Sequence, residues 1–464
     1  MAEEVRLLDN KPPISNIFKN SLERIVSRIR NLAEDSGFIA RHRTSNTAFT
    51  RKRSLPFPVL VKFLMNNLKR ALQDELDSFF SVMGNSVSGG LQRVVTKAAL
   101  SKARKKLKHT AFIEFNQETT KIFYSQPEGI KRWNGFRLLS VDGSKLNLPN
   151  DPDIAEHFGT SKGSPQPRAL LSSLYDPLNQ MHVDQQLAPF KTSERELASR
   201  HLNATEEGDL ILYDRGYPAF WLFAQHRAMG RDFCMRLPWN FYNEARDLYR
   251  RPESGKIDEC KVTLTSNRES REKCQELEVS DVPITLRLIR VPLDESTDKE
   301  SKEGYEILIT SLVEQETYPA GLFGHLYHLR WGVEEGYKRL KLRSELESWS
   351  GRTVESIYQD THAKTLTLNL NTLAVLAAEE EAAERLQNKK ERKHVYTVNR
   401  AQALSRMKDT VVRITTLLNP RNLIDELVTS ASLLLEPVRP GRSSKRKPRP
   451  AAGHRYKSSY KNLR

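Results

Sequence analysis

Two short apolar runs, Phe136-Arg-Leu-Leu-Ser-Val141 and Asp209-Leu-Ile-Leu-Tyr213, each lead into an aspartate. The first enters Asp142-Gly143-Ser144. The second enters Asp214-Arg215-Gly216-Tyr217, and a helical pattern follows through Phe220 and Ala228. Apolar runs of this length bounded by turn residues read as buried strands. An acid at the end of such a strand is displayed at a sheet edge, where mixed α/β folds bind ligands. Between the two runs, Ala169 to Tyr175 and Met181 to Leu187 flank Asp176-Pro-Leu-Asn, a hairpin signature, and a helix reads from Ser193 to Leu202. The chain is therefore committed to a mixed sheet in its middle third.

Helical patterns flank that sheet. Leu22 to Leu32 and Leu60 to Leu76 have helical periodicity, and Gly84 to Gly90 reads as a linker or turn. Thr96 is placed to cap a helix in which Leu100, Ala103 and Leu107 share one apolar arc. From residue 232 to 317 the pattern is again strand-rich, with Lys261 to Thr265, Ile284 to Val291 and Tyr305 to Leu312 between charged loops. Lys364 to Gln387 and Tyr396 to Leu435 read as helical.

A further helix, beginning near Gly324, carries an unusual face. Counting from Tyr327, Arg330 lies at +3, Glu334 at +7 and Lys341 at +14. At 100° per residue these fall in an arc of about 60°. Mixed charges at helical spacing usually make a solvated face. Gly332 and Gly336 argue against that here, because each costs about 1 kcal/mol relative to Ala in a helix. Two such losses are expected where a ligand or another backbone approaches closely. A lone acid among a phenol, a guanidinium and an ammonium suits a metal-binding carboxylate beside a phosphate backbone.

Composition favours a polyanionic partner. The 464 residues include 74 Lys+Arg against 58 Asp+Glu, a formal net charge of +16. Between Arg93 and Lys108 there are basic residues and no acid, so Lys97, Lys102, Arg104 and Lys105 are candidate DNA contacts, and Arg41 to Arg53 is likewise acid-free. Residues 439–464, rich in Pro, Gly and Ser, hold ten Lys or Arg and no acid, and read as a disordered phosphate-binding arm. Cys234, Cys260 and Cys274 are odd in number and lack CxxC spacing, which excludes a disulfide framework or zinc site and suggests reduced thiols. The start Met-Ala-Glu-Glu-Val has no apolar segment of a secretory signal, and no run approaches a membrane span. A soluble, cytoplasmic protein is expected.

Asp142, Asp214 and Glu334 thus stand out together. Singly each has an ordinary explanation: Asp-Gly is a common turn pair, Asp214 could cap the next helix, and Glu334 could be a surface charge. Converging, they would repel one another if empty and would be stabilised by two divalent cations, as two-metal phosphoryl transfer requires. Mg²⁺, with Mn²⁺ as substitute, suits such a site.

The spacing Tyr327-x2-Arg330-x3-Glu334-x6-Lys341 resembles the YREK signature of DDE transposases of the insertion-sequence-four family. Val141-Asp142-Gly143-Ser144 looks like that family's first-Asp motif and Asp214-Arg215-Gly216-Tyr217 like its second. Flanking blocks at Phe49 to Pro56, Thr96 to Leu107, and Ser348 to Thr353 with Gln359-Asp360 extend the likeness over roughly residues 45–375. The resemblance implies an α+β, multidomain chain whose RNase H-like core is interrupted by a β-rich insertion. The 120 residues from Asp214 to Glu334 (334 − 214) agree with such an interruption. The expected parts are a helical DNA-binding domain at 1–128, core at 129–231 and 318–375, the insertion at 232–317, a helical region at 376–438 and the basic tail at 439–464.

The resemblance further implies cut-and-paste transposition at terminal inverted repeats. A 3′-OH is freed, attacks the opposite strand to form a hairpin, and is finally joined to target DNA. Asp142, Asp214 and Glu334 are the implied catalytic and metal-holding residues, and Tyr327, Arg330, Lys338 and Lys341 the implied DNA contacts. Well-known relatives carry a Trp on the last insertion strand for a flipped base. Here Tyr305 precedes Ile307-Leu-Ile-Thr310, where packing against neighbours is an equal explanation. Double-stranded DNA and a second copy of the chain, as a homodimer in a synaptic complex, are the expected partners. A domesticated DNA-binding protein and a structure-specific nuclease of the same fold remain the alternatives.

Overall fold

The computed structural model describes residues 16–51, 53–86, 95–161, 163–251, 258–292, 304–387 and 394–438. Lys52, Arg93, most of the Gly84–Gly90 linker and the whole 439–464 arm lie outside the described residues.

Helices come first: α1 (Ile17–Glu34), α2 (Ser36–His42), α3 (Phe57–Met65), α4 (Leu72–Ser86), α5 (Lys97–Arg104) and α6 (Thr110–Tyr124). Then follow β1 (Arg137–Asn147), α7 (Pro152–Phe158), β2 (Arg168–Asp176), β3 (Met181–Pro189), α8 (Glu194–His201), β4 (Asp209–Tyr213), α9 (Phe220–Met229) and β5 (Asp232–Leu237). Next are α10 (Asn243–Tyr249), β6 (Glu259–Leu264), α11 (Arg268–Glu276), β7 (Ile284–Pro292) and β8 (Tyr305–Thr310). The last are α12 (Leu322–His328), α13 (Gly332–Lys338), α14 (Val354–Gln387), β9 (Tyr396–Val398), α15 (Arg400–Thr416), α16 (Arg421–Ser432) and β10 (Leu435–Pro437).

The chain divides into two compact units. A helical unit comprises Met1–Ile130, Leu146–Arg168 and Lys338–Arg464, and a sheet unit Lys131–Lys145 and Ala169–Tyr337.

In the sheet, the described strands run β3-β2-β1-β4-β5-β8-β7-β6. β2 and β3 form an antiparallel hairpin, and β4 is parallel to both β1 and β5. This 3-2-1-4-5 order is the RNase H-like arrangement within an α+β chain. The hairpin turns where Asp176 Oδ1 accepts the Leu178 and Asn179 N–H groups at 2.9 and 2.8 Å, fixing the Asp-Pro-Leu-Asn turn. Both sheet faces are buried, as a parallel centre requires. Leu138, Leu210, Leu212, Cys234 and Leu308 pack with Phe323 and Leu326 of α12 in one core cluster. Leu170 and Ala188 pack with Leu197 of α8 in another.

The stretch read as a β-rich insertion is strand-rich, and its strands join the sheet already described. Its first strand, β5, pairs in parallel with β4 and so continues the central sheet. β8 then adds antiparallel to β5, and β7 and β6 follow, so the remaining strands extend the same sheet. Open hydrogen-bonding edges favour this, because an unpaired edge leaves buried backbone groups unsatisfied.

In the helical unit the long helix α14 is the axis, with residues from Ser356 to Ala378 almost all buried. Thr96 caps α5, its side chain accepting from Ala99 N at 3.2 Å. Residues 396–435, read as wholly helical, instead begin with β9, which pairs antiparallel with β10 beyond α16. That pairing joins segments 37 residues apart, which no local periodicity reports. No described helix is long and apolar enough to cross a membrane.

Candidate active site and nucleic-acid interface

The parallel register of β1 and β4 builds the first half of the site. The β1–β4 ladder pairs Ser140 with Leu212 at its last step. Asp142 and Asp214 each lie two residues beyond (142 − 140 and 214 − 212), so they occupy matching positions at the same end of adjacent strands. The sequence reading ended the first strand at Asp142, but β1 continues to Asn147, so Gly143 is a strand residue and not a turn. Its missing side chain has another reason. A Cβ at Gly143 would stand 2.8 Å from both Cδ and Oε1 of Glu194.

The helical half arrives from across the unit. Tyr327 to Lys341 is not one regular helix: α12 ends at His328, Leu329–Trp331 is a 3₁₀ turn, and Arg339–Arg343 is π-helical. A uniform 100° step therefore does not describe the whole face. Tyr327 and Arg330 nevertheless lie beside the acids. The Tyr327 hydroxyl lies 3.5 Å from Asp214 Oδ1, and Arg330 pairs with Glu334 at 3.7 Å. Lys338 and Lys341 belong to the helical unit, and Asp142, Asp214 and Glu334 to the sheet unit.

The two glycines behave as their cost implied. A Cβ at Gly332 would meet Pro177 Cβ at 2.5 Å, and one at Gly336 would meet the Tyr175 ring at 3.0 Å. The helix thus seats directly on the β2–β3 hairpin. Below it, the Tyr337 hydroxyl is 2.6 Å from the Asp142 carbonyl oxygen and 3.1 Å from that of Leu171, fixing the backbone that carries the first aspartate.

The electrostatics are unbalanced. Burial, together with nearby Glu194 and Glu334, pushes the Asp142 carboxyl up to about 6, against the lowering influence of the Gly143 N–H and of Arg330. Arg330 is 7% exposed. Burial alone would lower its pKa, but Tyr327, Asp214, Asp142 and Glu334 outweigh this and raise it. Two buried polar atoms, Arg330 Nε and the Tyr217 hydroxyl, have no hydrogen-bond partner among the described residues. Orphaned donors are costly unless something fills the space.

A hard divalent cation fits this donor set: carboxylates only, mutually repelling, beside an unpaired hydroxyl. Among the described residues no three His, Cys, Asp or Glu side chains stand close enough together to ligate one ion as they are. Arg330 instead supplies the positive charge that the acids face.

Tyr305, considered as a stacking surface, has the Arg290 guanidinium 3.8 Å from its ring centroid, so one face is already covered. Lys97 and Lys102 on α5, and Lys105 just after it, are exposed, as DNA contacts must be. Lys102 lines a cavity of about 850 Å³ together with Arg51, Arg53 and Lys106, and no acid lines it. Arg104 requires a correction. It is 5% exposed, pairs with Asp360, and donates to Gln359 Oε1 at 2.6 Å and the Ser356 carbonyl at 2.9 Å. It clamps α5 to α14 and is not available to DNA. The reading missed Glu194 and Tyr217. Tyr217 sits in the quoted Asp214-Arg-Gly-Tyr block. Glu194 reads only as an acid in a helix's first turn, where acids are common.

The model of the family "Transposase DDE domain" matches residues 133–370, which is 238 of 464 residues and just over half of the chain, Asp142, Asp214 and Glu334 included. The chain is 25% identical over 304 residues to "Transposase InsG for insertion sequence element IS4" of Escherichia coli (strain K12), covering 64% of each protein. It is 22% identical over 179 residues to "Putative transposase InsZ" of the same strain, covering 36% of this chain and 56% of that one. The chain thus spans less than two thirds of the length of these curated relatives. A solved structure, the cryo-EM piggyBac transposase synaptic complex with hairpin DNA, aligns over 93% of this chain and 85% of its own at 9% identity and a TM-score of 0.40. With a family match over more than half its length, the chain belongs to the DDE transposases, on the side of the insertion-sequence-four relatives.

Proposed function

We propose that the chain is a DNA transposase that cuts an insertion sequence at its terminal inverted repeats and joins the freed 3′ end to target DNA. The observation that supports this reading is the matched placement of Asp142 and Asp214 on two parallel strands, with the charges of both and of Glu334 acting on the buried Arg330. These three carboxylates would hold two Mg²⁺ ions, for which Mn²⁺ substitutes. Bound there, the metal would supply Lewis-acid polarisation of the scissile phosphoryl group and neutralise its developing charge.

The protein's own contributions are separable. Tyr337 holds the Asp142 backbone in place. Asp142 must surrender its proton before it can act as a ligand, so metal uptake weakens below about pH 6. Arg330 balances the acids in the free protein and turns its unpaired Nε to the scissile phosphate when DNA enters. Tyr327, beside Asp214, contributes to the same grip. Lys97 and Lys102 on α5 and Lys105 just after it, with Lys338 and Lys341, hold phosphates of the DNA, and residues 1–128 are the DNA-binding domain. Excision proceeds through a hairpin, and the ends are paired by two copies of the chain.

Purified protein, inverted-repeat DNA, Mg²⁺ and a target plasmid test the reading. Joined products are expected. Cleavage without joining would make the chain a nuclease, and binding without cleavage would leave it a DNA-binding protein only.

A further inference from the structure

Glu194 is the first residue of α8 and is exposed, with its side chain turned over the neighbouring strand. It rests over Gly143, in the space that a β-carbon would claim at 2.8 Å. The next residue anchors that turn: Arg195 Nε donates to the Gly216 carbonyl at 2.8 Å, tying α8 to the loop that follows Asp214. The start of α8 is thereby held to the segment that carries the second aspartate, and Glu194 reaches from it over the segment that carries the first. A first-turn acid placed only for the helix dipole would need neither the glycine nor the anchor.

A second observation points to a ligand at the same spot. Tyr217 is 1% exposed, and its hydroxyl, without a partner among the described residues, feels the charges of Glu194, Asp142 and Asp214. A buried hydroxyl amid three carboxylates would ordinarily donate to one of them. Its orphan state marks room for a ligand, or for water bound to one, among these groups.

We propose that Glu194 is a fourth carboxylate of this centre, ligating a divalent cation together with Asp142. The three-acid pattern of the sequence is then one ligand short. Glycine follows the first aspartate because any side chain there would push Glu194 off the metal. The proposal rests on the reading of Asp142 as a metal-holding residue.

The experiment is a Mn²⁺ titration of the full-length protein without DNA, following free Mn²⁺ by electron paramagnetic resonance. Wild type is compared with Glu194→Gln, Glu196→Gln and Asp142→Asn. Binding should be lost in Asp142→Asn, weakened roughly tenfold or more in Glu194→Gln, and unchanged in Glu196→Gln, which removes an acid from the same helical turn. Wild-type affinity in Glu194→Gln, with binding lost in Asp142→Asn, overturns the fourth carboxylate alone. Equal weakening in Glu194→Gln and Glu196→Gln overturns it as well, since the effect would then be net charge. Wild-type affinity in Asp142→Asn removes the metal reading beneath it. Should Glu194→Gln not fold, Fe²⁺ and ascorbate applied to the wild-type protein should cut the backbone near 194 as well as near 142. Cutting near 142 without cutting near 194 overturns the proposal.

Discussion

Strands β1 and β4 carry charged residues at both ends of their ladder, and the two ends are built oppositely. At the start, Arg137 and Asp209 are direct ladder partners, 4% and 2% exposed. Two parallel bonds of 2.7 and 2.6 Å join them, and the Glu206 N–H adds a third at 2.8 Å. Every charge there is paired. At the finish, Asp142 and Asp214 face like charges, an arginine with an unpaired Nε, and a phenol without a partner. Burying charge is tolerable when it is paired and costly when it is not. The satisfied end therefore holds the strands in register, and the unsatisfied end is the one left for the proposed ligand. Arg104 with Asp360 in the helical unit repeats the satisfied pattern, which is why a residue expected to grip DNA is structural.

The largest expected effect comes from Asp142→Asn. Cleavage should fall by at least about three orders of magnitude if the carboxylate holds the metal, while the free protein should gain stability at alkaline pH. The sign follows from the direction of the shift. A carboxyl raised from 3.8 to about 6 contributes stability that is fully present below 3.8 and lost as pH rises through 6. Asn carries no such loss, so its melting temperature should exceed wild type at pH 8, and the gap should close as pH falls to 3.8. A variant less stable than wild type at pH 8 would show that the finish of the ladder is as well paired as its start.

Asp209→Asn tests the other end. Breaking a buried pair by removing one partner costs about 3–5 kcal/mol, because the remaining guanidinium is stranded. The melting temperature should drop, and cleavage should fall only as the folded fraction falls. A lasting activity defect in fully folded protein would erase the distinction between the two ends.

How much of this was legible depended on how local the signal was. The runs ending at Asp142 and Asp214 are apolar enough to show both strands, and parallel register then does the rest. Gly332 and Gly336 announced a close approach, and Pro177 and the Tyr175 ring supply it. The helical arc put Tyr327, Arg330 and Glu334 on one face, and Arg330 lies beside each of the other two, although the 3₁₀ turn at Leu329–Trp331 breaks the regular geometry. Non-local pairings were not legible. Arg104 is four residues from Leu100, one turn along the buried side of α5, but its partner Asp360 is 256 residues away. The fate of β5 was set by the open edge of β4, and that of 396–398 by pairing with 435–437. Glu194 was hidden because a helix's first turn is an ordinary place for an acid.

Arg330→Lys sharpens the contrast at intermediate scale. Lysine keeps the charge but not the planar fork that can bond a phosphate twice. Cleavage should fall roughly tenfold or more, while the melting temperature shifts far less than for Asp209→Asn. If activity and stability fall in step, Arg330 is a counterpart of Arg137, and the phosphate role fails.

The smallest effect separates two neighbours on α5. Lys102 is exposed on a cavity that Arg51, Arg53 and Lys106 also line, whereas Arg104, two residues on, is buried against Asp360. Removing one phosphate contact lowers the slope of log affinity against log salt by about 0.9 on duplex DNA. Lys102→Ala should show that change, with affinity reduced equally on inverted-repeat and random DNA and the melting curve unmoved. Arg104→Ala should do the reverse: the melting temperature falls as for a broken buried pair, and the protein that stays folded keeps the wild-type salt slope. Both variants are measured on the same DNA at several salt concentrations, below the melting temperature of the weaker one. If the slope falls for Arg104→Ala and not for Lys102→Ala, satisfied burial is no guide to which charges of this chain meet DNA. The comparison between the two ends of the ladder would then lose its generality.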